Sequence, residues 1–582
     1  MLSRIPIPAR WLALGAALLI TAAVYIQSLF FDFVYDDLGQ IVYNPKIKSW
    51  HLAFTYFSSH VWSQVMNLAL YYRPLYMLWL RVSDAAFGLN PFFWHLTTVA
   101  LHLLVCALVY LFAKRLTNNA WIAVASALLF GVHPVHVETA AWVSGSTDSL
   151  MASFLLGSLL CYWNYRDPVR GNRGAWLASS LILAFFATLV KESAAVLPAL
   201  IFAYEWLFSD LAKSRRIRLF ESIKAAVPYA AVSLIFLAMR TLALKSLAPP
   251  TTKMGRLSIV LAWPKIVVFY IAHALIPLHM SVFYNLLTVS HPGWWNFVLP
   301  LAEALAVAAV LIYVAKRSRT VAFLGLWCAI LLIPMLDVTL VNNVENLHDR
   351  YLYLPSVAVC ILIASLLGKL KEMKHEKAAL AALVVVAGGY AVMTTQEVGY
   401  WRNELVLAQH GMEVSPGHPV APQVIGNMLA REGRVREAIP YLLDSLAAMP
   451  SNVETLCTLG NCYLELKALA LAEECMNKAL SLRPSEPRAH LVLGIIRYRQ
   501  MRLQEAEAEL RRGIELEHVQ ESITEYHYYL GDVLYTKGDV REAEREYRLE
   551  LRNDPATDPA VAPAQARMEE IERCGKAGCK DF

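Results

Sequence analysis

Long apolar stretches recur through the first four hundred residues of this chain, and they constrain its fold more than any other feature. A helix needs about 20 mostly apolar residues to cross the hydrocarbon core of a membrane. Stretches of that kind lie at 11–31, 92–113, 120–138, 149–165, 175–190, 193–208, 226–244, 298–315, 320–340, 352–368 and 378–396. Only 17% of the 582 residues are charged, against about 25% in soluble domains. A single soluble domain is therefore excluded, and a membrane protein with many crossings is predicted.

The basic residues predict how these stretches are oriented, because Lys and Arg collect on the cytoplasmic side of a membrane. Clusters follow the second, fourth and sixth stretches, and two more lie at 316–319 and 369–377. All fall on one side if a further apolar run, 257–277, which two prolines interrupt, does not cross. We therefore predict a re-entrant or interfacial segment there, about eleven crossings, a cytoplasmic N-terminus and an outer loop at 32–91. A cleaved signal peptide at the first stretch is the alternative, and it leaves that loop outside as well.

Beyond residue 400 the apolar stretches give way to a sequence repeat. Glycines 34 residues apart, with a fourth after a three-residue insertion, occur at Gly426, Gly460, Gly494 and Gly531. Alanines keep the same offsets at Ala438, Ala472, Ala506 and Ala543. This period is typical of the tetratricopeptide repeat, a pair of antiparallel helices. We predict four repeats, at 419–452, 453–486, 487–523 and 524–557.

Together these patterns predict an all-α fold. A polytopic bundle of membrane helices covers 1–398, a linker helix covers 399–418, and an α-solenoid of repeats covers 419–557, followed by a capping helix and tail at 558–582. Stacked repeats form a concave surface that commonly holds an extended peptide. Eleven crossings would place this surface outside, on the same side as the first outer loop.

Two adjacent acids, Asp36 and Asp37, follow Tyr35 just outside the first stretch. Ionisable groups at membrane depth are rare and are functional candidates by default. Beside a cavity, one carboxyl group of such a pair would have a raised pKa that suits a general base. Alternatively, the pair holds a divalent cation, or it only marks the end of a span at the surface.

Two arginines are expected at the level of the lipid headgroups. Arg73 opens a helix before the second stretch, and His348, Arg350 and Tyr351 precede the tenth. The planar guanidinium group suits a phosphate, which it binds in a bidentate manner. The alternatives are a side chain that snorkels to the surface and an ordinary interfacial belt of Tyr and Arg.

A third outer motif supplies two histidines and two acids, namely His133, His136, Glu138 and Asp148. The histidine spacing around a proline is not that of a helical zinc motif, so metal binding there stays an open alternative. Lys191 and Glu192, in the next short outward turn, form a pair that could neutralise itself. All of these residues are predicted on the face that carries the repeats.

The order of these motifs resembles a known family. The chain carries Tyr35-Asp36-Asp37, then Tyr-Arg-Pro-Leu from Tyr72, His-Pro-Val-His-Val-Glu from His133, Lys-Glu-Ser from Lys191 and Asp-Arg-Tyr-Leu from Asp349, before the repeats. This order resembles the transmembrane and tetratricopeptide-repeat O-mannosyltransferases and their bacterial relatives, within the GT-C glycosyltransferase superfamily. The chain departs from the family where Thr147 replaces an arginine and where His348-Asp349-Arg350 replaces Ala-Glu-Arg, which leaves the donor sugar open.

The resemblance implies a GT-C-like membrane domain that moves a sugar from a polyprenyl-phosphate donor to a Ser or Thr hydroxyl, with inversion. Asp36 or Asp37 would be the catalytic base. Donor-phosphate contacts would come from Arg73, Lys191, His348 and Arg350. The substrate pocket would be lined by Tyr35, His133, His136, Glu138, Asp148, Glu192 and Tyr351. A divalent cation, Mg²⁺ or Mn²⁺ on Asp36, Asp37 and Glu138, is an open alternative, and the implied partner is an acceptor protein or peptide held by the repeats.

Other functions stay open at this level. A non-catalytic scaffold would recruit partners through the repeats and tolerate changes at the acids and arginines. A flippase for lipid-linked sugars would need polar residues deep in the spans on both sides, and a related transferase would act on a glycan or lipid. The modest repeat number and the absence of an ER-retrieval signal predict a bacterial inner membrane with periplasmic repeats, or an ER membrane with lumenal repeats in a eukaryote.

Overall fold

A computed structural model describes residues 9–61, 71–210, 212–245, 256–285, 288–336, 347–516, 525–552 and 560–577. Within these ranges the regular elements are helices and no strand occurs. The predicted all-α fold class is therefore confirmed. The chain divides into two compact units, Met1–Ser415 and Pro416–Phe582. Parts of the predicted outer loop (62–70) and tail (578–582) lie outside the described residues.

The first unit contains fifteen α-helices among its described residues. They are α1 Ala9–Tyr25, α2 Pro74–Phe87, α3 Pro91–Thr117, α4 Ala120–Gly131, α5 Val137–Ala140, α6 Thr147–Arg166, α7 Arg173–Val190, α8 Leu197–Phe208, α9 Arg215–Leu244, α10 Arg256–Leu275, α11 Leu299–Ala315, α12 Arg319–Leu336, α13 Pro355–Glu372, α14 Glu376–Tyr400 and α15 Glu404–Val414. Short 3-10 turns join several of them, including Pro134–His136, Ser144–Ser146 and Asp349–Leu352.

Eight described helices are long and apolar enough to cross a membrane, and the chain is an integral membrane protein. They are Arg10–Phe30, Pro91–Thr117, Arg173–Val190, Arg215–Leu244, Leu257–Leu275, Trp294–Ala315, Arg319–Leu336 and Glu376–Tyr400. A ninth span results if Ala120–Gly131 and Pro134–Ala140, bent by 59°, form one broken span.

This set differs from the eleven predicted spans at four places. The stretch 193–208 is divided between the 3-10 helix Glu192–Val196 and the twelve-residue helix α8. The stretch 149–165 lies in α6, which carries polar residues at both ends. The stretch 352–368 lies in α13, which ends in lysines and a glutamate. Conversely, α10 is continuous despite an internal proline and is long enough to cross, where the sequence predicted a re-entrant segment.

The second unit is built from helix pairs, as the repeat predicts. The pairs are α16 Val420–Arg431 with α17 Val435–Ala448, α18 Val453–Glu465 with α19 Leu469–Leu482, α20 Pro487–Arg499 with α21 Leu503–Leu516, and α22 Tyr526–Lys537 with α23 Val540–Glu550, followed by α24 Val561–Ala577. Small residues sit where paired helices touch. A Cβ atom on Gly494 would lie 2.6 Å from Leu510, and Ala506 is fully buried. The tetratricopeptide architecture is therefore confirmed.

Candidate active site

The two acids after the first span have different surroundings. Asp37 is fully buried; its Oδ1 accepts hydrogen bonds from the Ser144 backbone N–H (2.8 Å) and hydroxyl (2.6 Å). Its Oδ2 accepts from the Val34 N–H at 3.2 Å. Asp36 is half-buried, and its Oδ2 accepts one long contact from Gln40 Nε2 at 3.5 Å. Asp37 thus ties the first outer loop to the 144–146 turn, whereas the Asp36 carboxylate is more available to a ligand.

The site changes the acidity of both carboxyl groups. Burial raises the pKa of Asp36 to about 6, and the charges of Arg350 and Arg73 oppose that rise. Burial also raises the pKa of Asp37 to about 7; the hydrogen bonds from Ser144 oppose this rise, and the charge of Asp36 adds to it. A general base works best when its pKa lies near the operating pH. Asp36 combines such a pKa with an available carboxylate.

Arg350 is held by a buried carboxylate. Its backbone N–H donates to Glu138 Oε2 at 3.0 Å, and its guanidinium group donates to Glu138 Oε1. The guanidinium carbon lies 5.3 Å from the Trp142 ring centroid and 5.7 Å from that of Tyr351. His348 Nδ1 lies 3.5 Å from Glu138 Oε1. The predicted residues His348, Arg350, Tyr351 and Glu138 therefore come together around one guanidinium group.

The other two predicted phosphate contacts are also paired with acids. Arg73 Nε donates to Glu192 Oε2 at 3.2 Å, and Lys191 Nζ lies 2.6 Å from both carboxylate oxygens of Asp148. Lys191 and Glu192 therefore do not neutralise one another, because each has its own partner from another segment. The Lys191 and Asp148 side chains are only 7% and 5% exposed, against 16% for Arg73. The Lys191 ammonium group is therefore buried in its ion pair, whereas the Arg73 guanidinium group is more accessible to a ligand.

These charges form one electrostatic cluster. Burial tends to lower the pKa of Arg350, but the charges of Glu138, Tyr351, Asp148 and Asp36 hold it above its ordinary value. The pKa of Lys191 is lowered, chiefly by burial, although Asp148 opposes the change. Asp36 is thus close enough to Arg350 to share its field, at a site where several charges are withdrawn from water.

The segment that carries Glu138 is folded tightly. A Cβ atom on Gly145 would lie 2.0 Å from the Glu138 carbonyl oxygen and 3.0 Å from the Trp142 ring. Only glycine fits such an approach, because a backbone atom cannot move aside as a side-chain end can. The 137–146 segment therefore folds back on itself and brings Glu138 and Ser144 to Arg350 and Asp37 respectively.

Two predicted pocket residues lie elsewhere. His133 and His136 are fully buried, with ring nitrogens 3.1 Å from the Ala274 carbonyl and 2.8 Å from the Ser356 hydroxyl respectively. They connect the broken helix to α10 and α13. Tyr35, with φ of 54°, turns the chain at the acids, and its ring lies 5.9 Å from that of Trp142.

Several residues at the site had no role predicted from the sequence, although Trp142 and Asp349 lie within its motifs. These residues are Ser144, Trp142, Gln40 and Asp349. The Asp349 carboxylate accepts hydrogen bonds from two side chains that are distant in the sequence. His273 Nδ1 donates to one of its oxygens at 2.8 Å and the Tyr284 hydroxyl donates to the other at 2.7 Å. No spacing in the sequence links these positions, so their contacts could not be predicted from it. The Trp-Val-Ser-Gly motif that begins at Trp142 was the one sequence signal that pointed to Ser144.

Both units of this chain match models of known protein families. The model of the dolichyl-phosphate-mannose-protein mannosyltransferase family matches residues 73–242, and tetratricopeptide-repeat models match 453–486, 471–517 and 491–557. Human protein O-mannosyl-transferase TMTC3 is 24% identical over 80% of this chain and 54% of its own length. The chain is similar to protein O-mannosyltransferases along most of its length. The predicted resemblance is confirmed.

Similarity to the protein O-mannosyltransferases is strongest over a shorter region. Mouse protein O-mannosyl-transferase TMTC1 is 34% identical over 35% of this chain and 23% of its own length. The chain spans about half the length of these curated relatives, such as human and mouse TMTC3. A crystal structure of an oligosaccharyltransferase from Archaeoglobus fulgidus is 11% identical, covering 70% of this chain and 58% of that one. The TM-score of this match is 0.39.

The described residues at the site do not form a cation site made of protein ligands alone. No group of three His, Cys, Asp or Glu side chains in the described ranges is arranged to hold a metal ion. Of the three carboxylates considered, Asp37 is taken up by Ser144 and Val34, and Glu138 by Arg350. Asp36 keeps acceptor capacity, and one or two carboxylates together with substrate phosphates are a common way to hold Mg²⁺. A cation shared between Asp36 and the donor phosphate therefore stays a prediction.

Proposed function

We propose that this chain is a GT-C-type glycosyltransferase that moves a hexose, mannose by analogy with its relatives, from a polyprenyl-phosphate donor to Ser or Thr hydroxyls of an exported protein. The relatives' printed names support the reaction class, and the match to the mannosyltransferase family spans five charged residues of the site, Arg73, Glu138, Asp148, Lys191 and Glu192. The observation that carries the mechanism is the half-buried Asp36 carboxylate lying within the field of Arg350 and Arg73.

Asp36 is the proposed base. It takes the proton of the acceptor hydroxyl while the oxygen attacks the anomeric carbon, the bond from that carbon to the phosphate oxygen breaks, and the lipid phosphate leaves with the bonding pair. The leaving group is a stabilised anion, so no strong acid is needed on its side. Direct displacement inverts the configuration. A positioned base contributes typically about 10²–10⁴-fold in rate.

Arg350 and Arg73 are the proposed phosphate contacts. Both are more exposed than Lys191, and both are planar groups that suit two phosphate oxygens. Charge that develops on the leaving phosphate would be stabilised by groups already in place, and loss of one such donor typically costs about 2.7–4 kcal/mol. Lys191, whose side chain is buried in its ion pair with Asp148, would support the site without contacting the phosphate itself.

The second unit is the proposed acceptor-binding part. Stacked tetratricopeptide repeats present a concave surface that suits an extended chain, and the relatives' names identify proteins as acceptors. We place the repeats and the acids outside the cytoplasm, in the periplasm of a bacterium or the lumen of the ER. This placement takes the N-terminus as cytoplasmic, as the arginines before the first span favour, and counts the bent pair as a ninth span, because an odd number of spans puts the two ends of the chain on opposite sides.

The direct test is the variant Asp36→Asn, assayed for transfer of labelled hexose from a polyprenyl-phosphate donor to an acceptor peptide. We expect transfer to fall at least about 100-fold. Asp32→Asn is the matched control, because Asp32 is an exposed acid in the same loop, and it should transfer as the wild type does. Full activity of the Asp36 variant at wild-type protein levels would end the proposal.

A further inference from the structure

Asp349, next to the proposed phosphate contact, has both carboxylate oxygens engaged by residues far along the chain. His273, in the last turn of α10, donates Nδ1–H to Oδ1 at 2.8 Å. The Tyr284 hydroxyl donates to Oδ2 at 2.7 Å and accepts from the Ser281 N–H at 3.0 Å. Asp349 itself is 4% exposed. A buried carboxylate with two strong donors is a rigid anchor.

The anchor fixes the turn that presents Arg350. Asp349 begins the 3-10 turn Asp349–Leu352, and Arg350 is its second residue. From the other side, Glu138 accepts the Arg350 N–H at 3.0 Å. The backbone of Arg350 is therefore held from two sides, by α10 and its following loop through Asp349 and by the 137–146 segment through Glu138.

We propose that Tyr284 and His273 are positioning residues that, through Asp349, hold Arg350 where it meets a lipid-linked phosphate; this rests on the proposed function. A phosphate that binds Arg350 competes with Glu138 for the guanidinium group. Once that group turns toward the phosphate, Asp349 is the anchor that remains unchanged. A displacement of about 1 Å at a site of this kind can cost about 100-fold, so the anchor matters more than its distance from the substrate suggests.

The surroundings of Tyr284 support a role beyond packing. Its ring lies in one apolar cluster with Tyr270, Leu347 and Leu352, so the hydroxyl is the single polar group that this ring brings to Asp349. Phenylalanine would keep the cluster and remove only the donor. Tyr390 offers a matched control: it is also 7% exposed, and its hydroxyl donates one hydrogen bond, to the Leu275 carbonyl at 2.9 Å, without touching Asp349.

The test is a double-mutant cycle on the full chain in detergent. A short-chain prenyl monophosphate is the binding probe, and Tyr284→Phe is measured alone and together with Arg350→Gln. We expect Tyr284→Phe to weaken binding about tenfold when Arg350 is present and by no more than about twofold when it is absent. Tyr390→Phe should leave binding unchanged in both backgrounds while shifting the thermal midpoint as much as Tyr284→Phe does.

The cycle separates the two proposals. Equal effects of Tyr284→Phe with and without Arg350, no effect at all, or an equal loss of binding in Tyr390→Phe would each overturn the positioning role. A non-additive cycle in a protein that transfers no sugar would overturn the proposed function and leave the positioning role standing. A wild type that does not bind the prenyl phosphate overturns both.

Discussion

The ion pairs of the two units differ in how deeply they can be buried. The repeat unit has exposed pairs such as Arg434–Glu437, whose side chains are 49% and 60% exposed, and partly buried pairs such as Arg497–Glu473, at 12% and 25%. In the membrane unit Lys191 and Asp148 form a pair in which neither side chain exceeds 7% exposure. Surface pairs contribute about 0–1 kcal/mol to stability. Buried pairs are costly to desolvate and contribute little net stability, so their concentration around Asp36 points to a task other than folding.

Removal of one partner from each kind of pair should show the largest contrast. Lys191→Met leaves the Asp148 carboxylate buried without a counter-ion, and we expect a loss of about 3–5 kcal/mol in the free energy of unfolding. Arg434→Met leaves Glu437 in water and should lower the free energy of unfolding far less than Lys191→Met does. Chemical unfolding in detergent, followed by circular dichroism, measures both. Similar losses in the two variants would remove the contrast.

Glycine substitutions should give a smaller contrast of the same kind. Gly145→Ala sets a methyl group 2.0 Å from a backbone oxygen of Glu138, whereas Gly426→Ala sets one 2.6 Å from the end of the Leu442 side chain. Overpacking costs typically about 1–3 kcal/mol, and we expect the upper end for Gly145, where the backbone must move. That movement shifts Glu138, so transfer should fall with Gly145→Ala and stay at the wild-type rate with Gly426→Ala. Equal activities would contradict this.

The stability of the two units should change with pH in opposite directions. The pKa of Asp36 is raised from 3.8 to about 6 and that of Asp37 to about 7. The folded membrane unit thus binds protons that the unfolded chain does not, and its stability should fall as the pH rises from 4 to 7. In the repeat unit, hydrogen bonds from Arg434 lower the pKa of Glu437, so stability there should fall on acidification below the ordinary glutamate range.

Activity should rise with pH as Asp36 loses its proton, whereas stability falls. The base must be ionised, so kcat/KM should rise about tenfold per pH unit below about 6 and level off above it. The residual activity of Asp36→Asn should lack this step. A wild-type profile that is flat between pH 5 and 7 would show that Asp36 does not limit the reaction.

The repeat unit could be predicted almost completely from the sequence, because its contacts are local. Gly494 meets Leu510 only sixteen residues away, and the same spacing recurs in each repeat. The membrane unit could be predicted less well. Apolar length predicted most spans, but it did not show that α8 is short or that α10 is continuous, since tertiary packing sets where a membrane helix begins and ends.

The sequence indicated several residues of the candidate site. It did not indicate which of them pair with one another. Motif order named Asp36, Arg73, Glu138, Lys191 and Arg350 as site candidates, and the structure brings them together. The partners came from long-range contacts: Lys191 pairs with Asp148 instead of its neighbour Glu192, and Glu138 lies 212 residues from Arg350 along the chain. A single sequence carries no signal for such distances, and it did not distinguish Asp36 from Asp37.

The central claim is that an acid of the first outer loop drives sugar transfer from a lipid phosphate. The most direct measurement uses the purified chain in liposomes with a polyprenyl-phosphate mannose of defined anomeric configuration and a Ser/Thr peptide, with the product read by mass spectrometry and NMR. We expect a mannosylated peptide of the opposite configuration. A product with retained configuration, or no transfer by the wild-type protein, would contradict it.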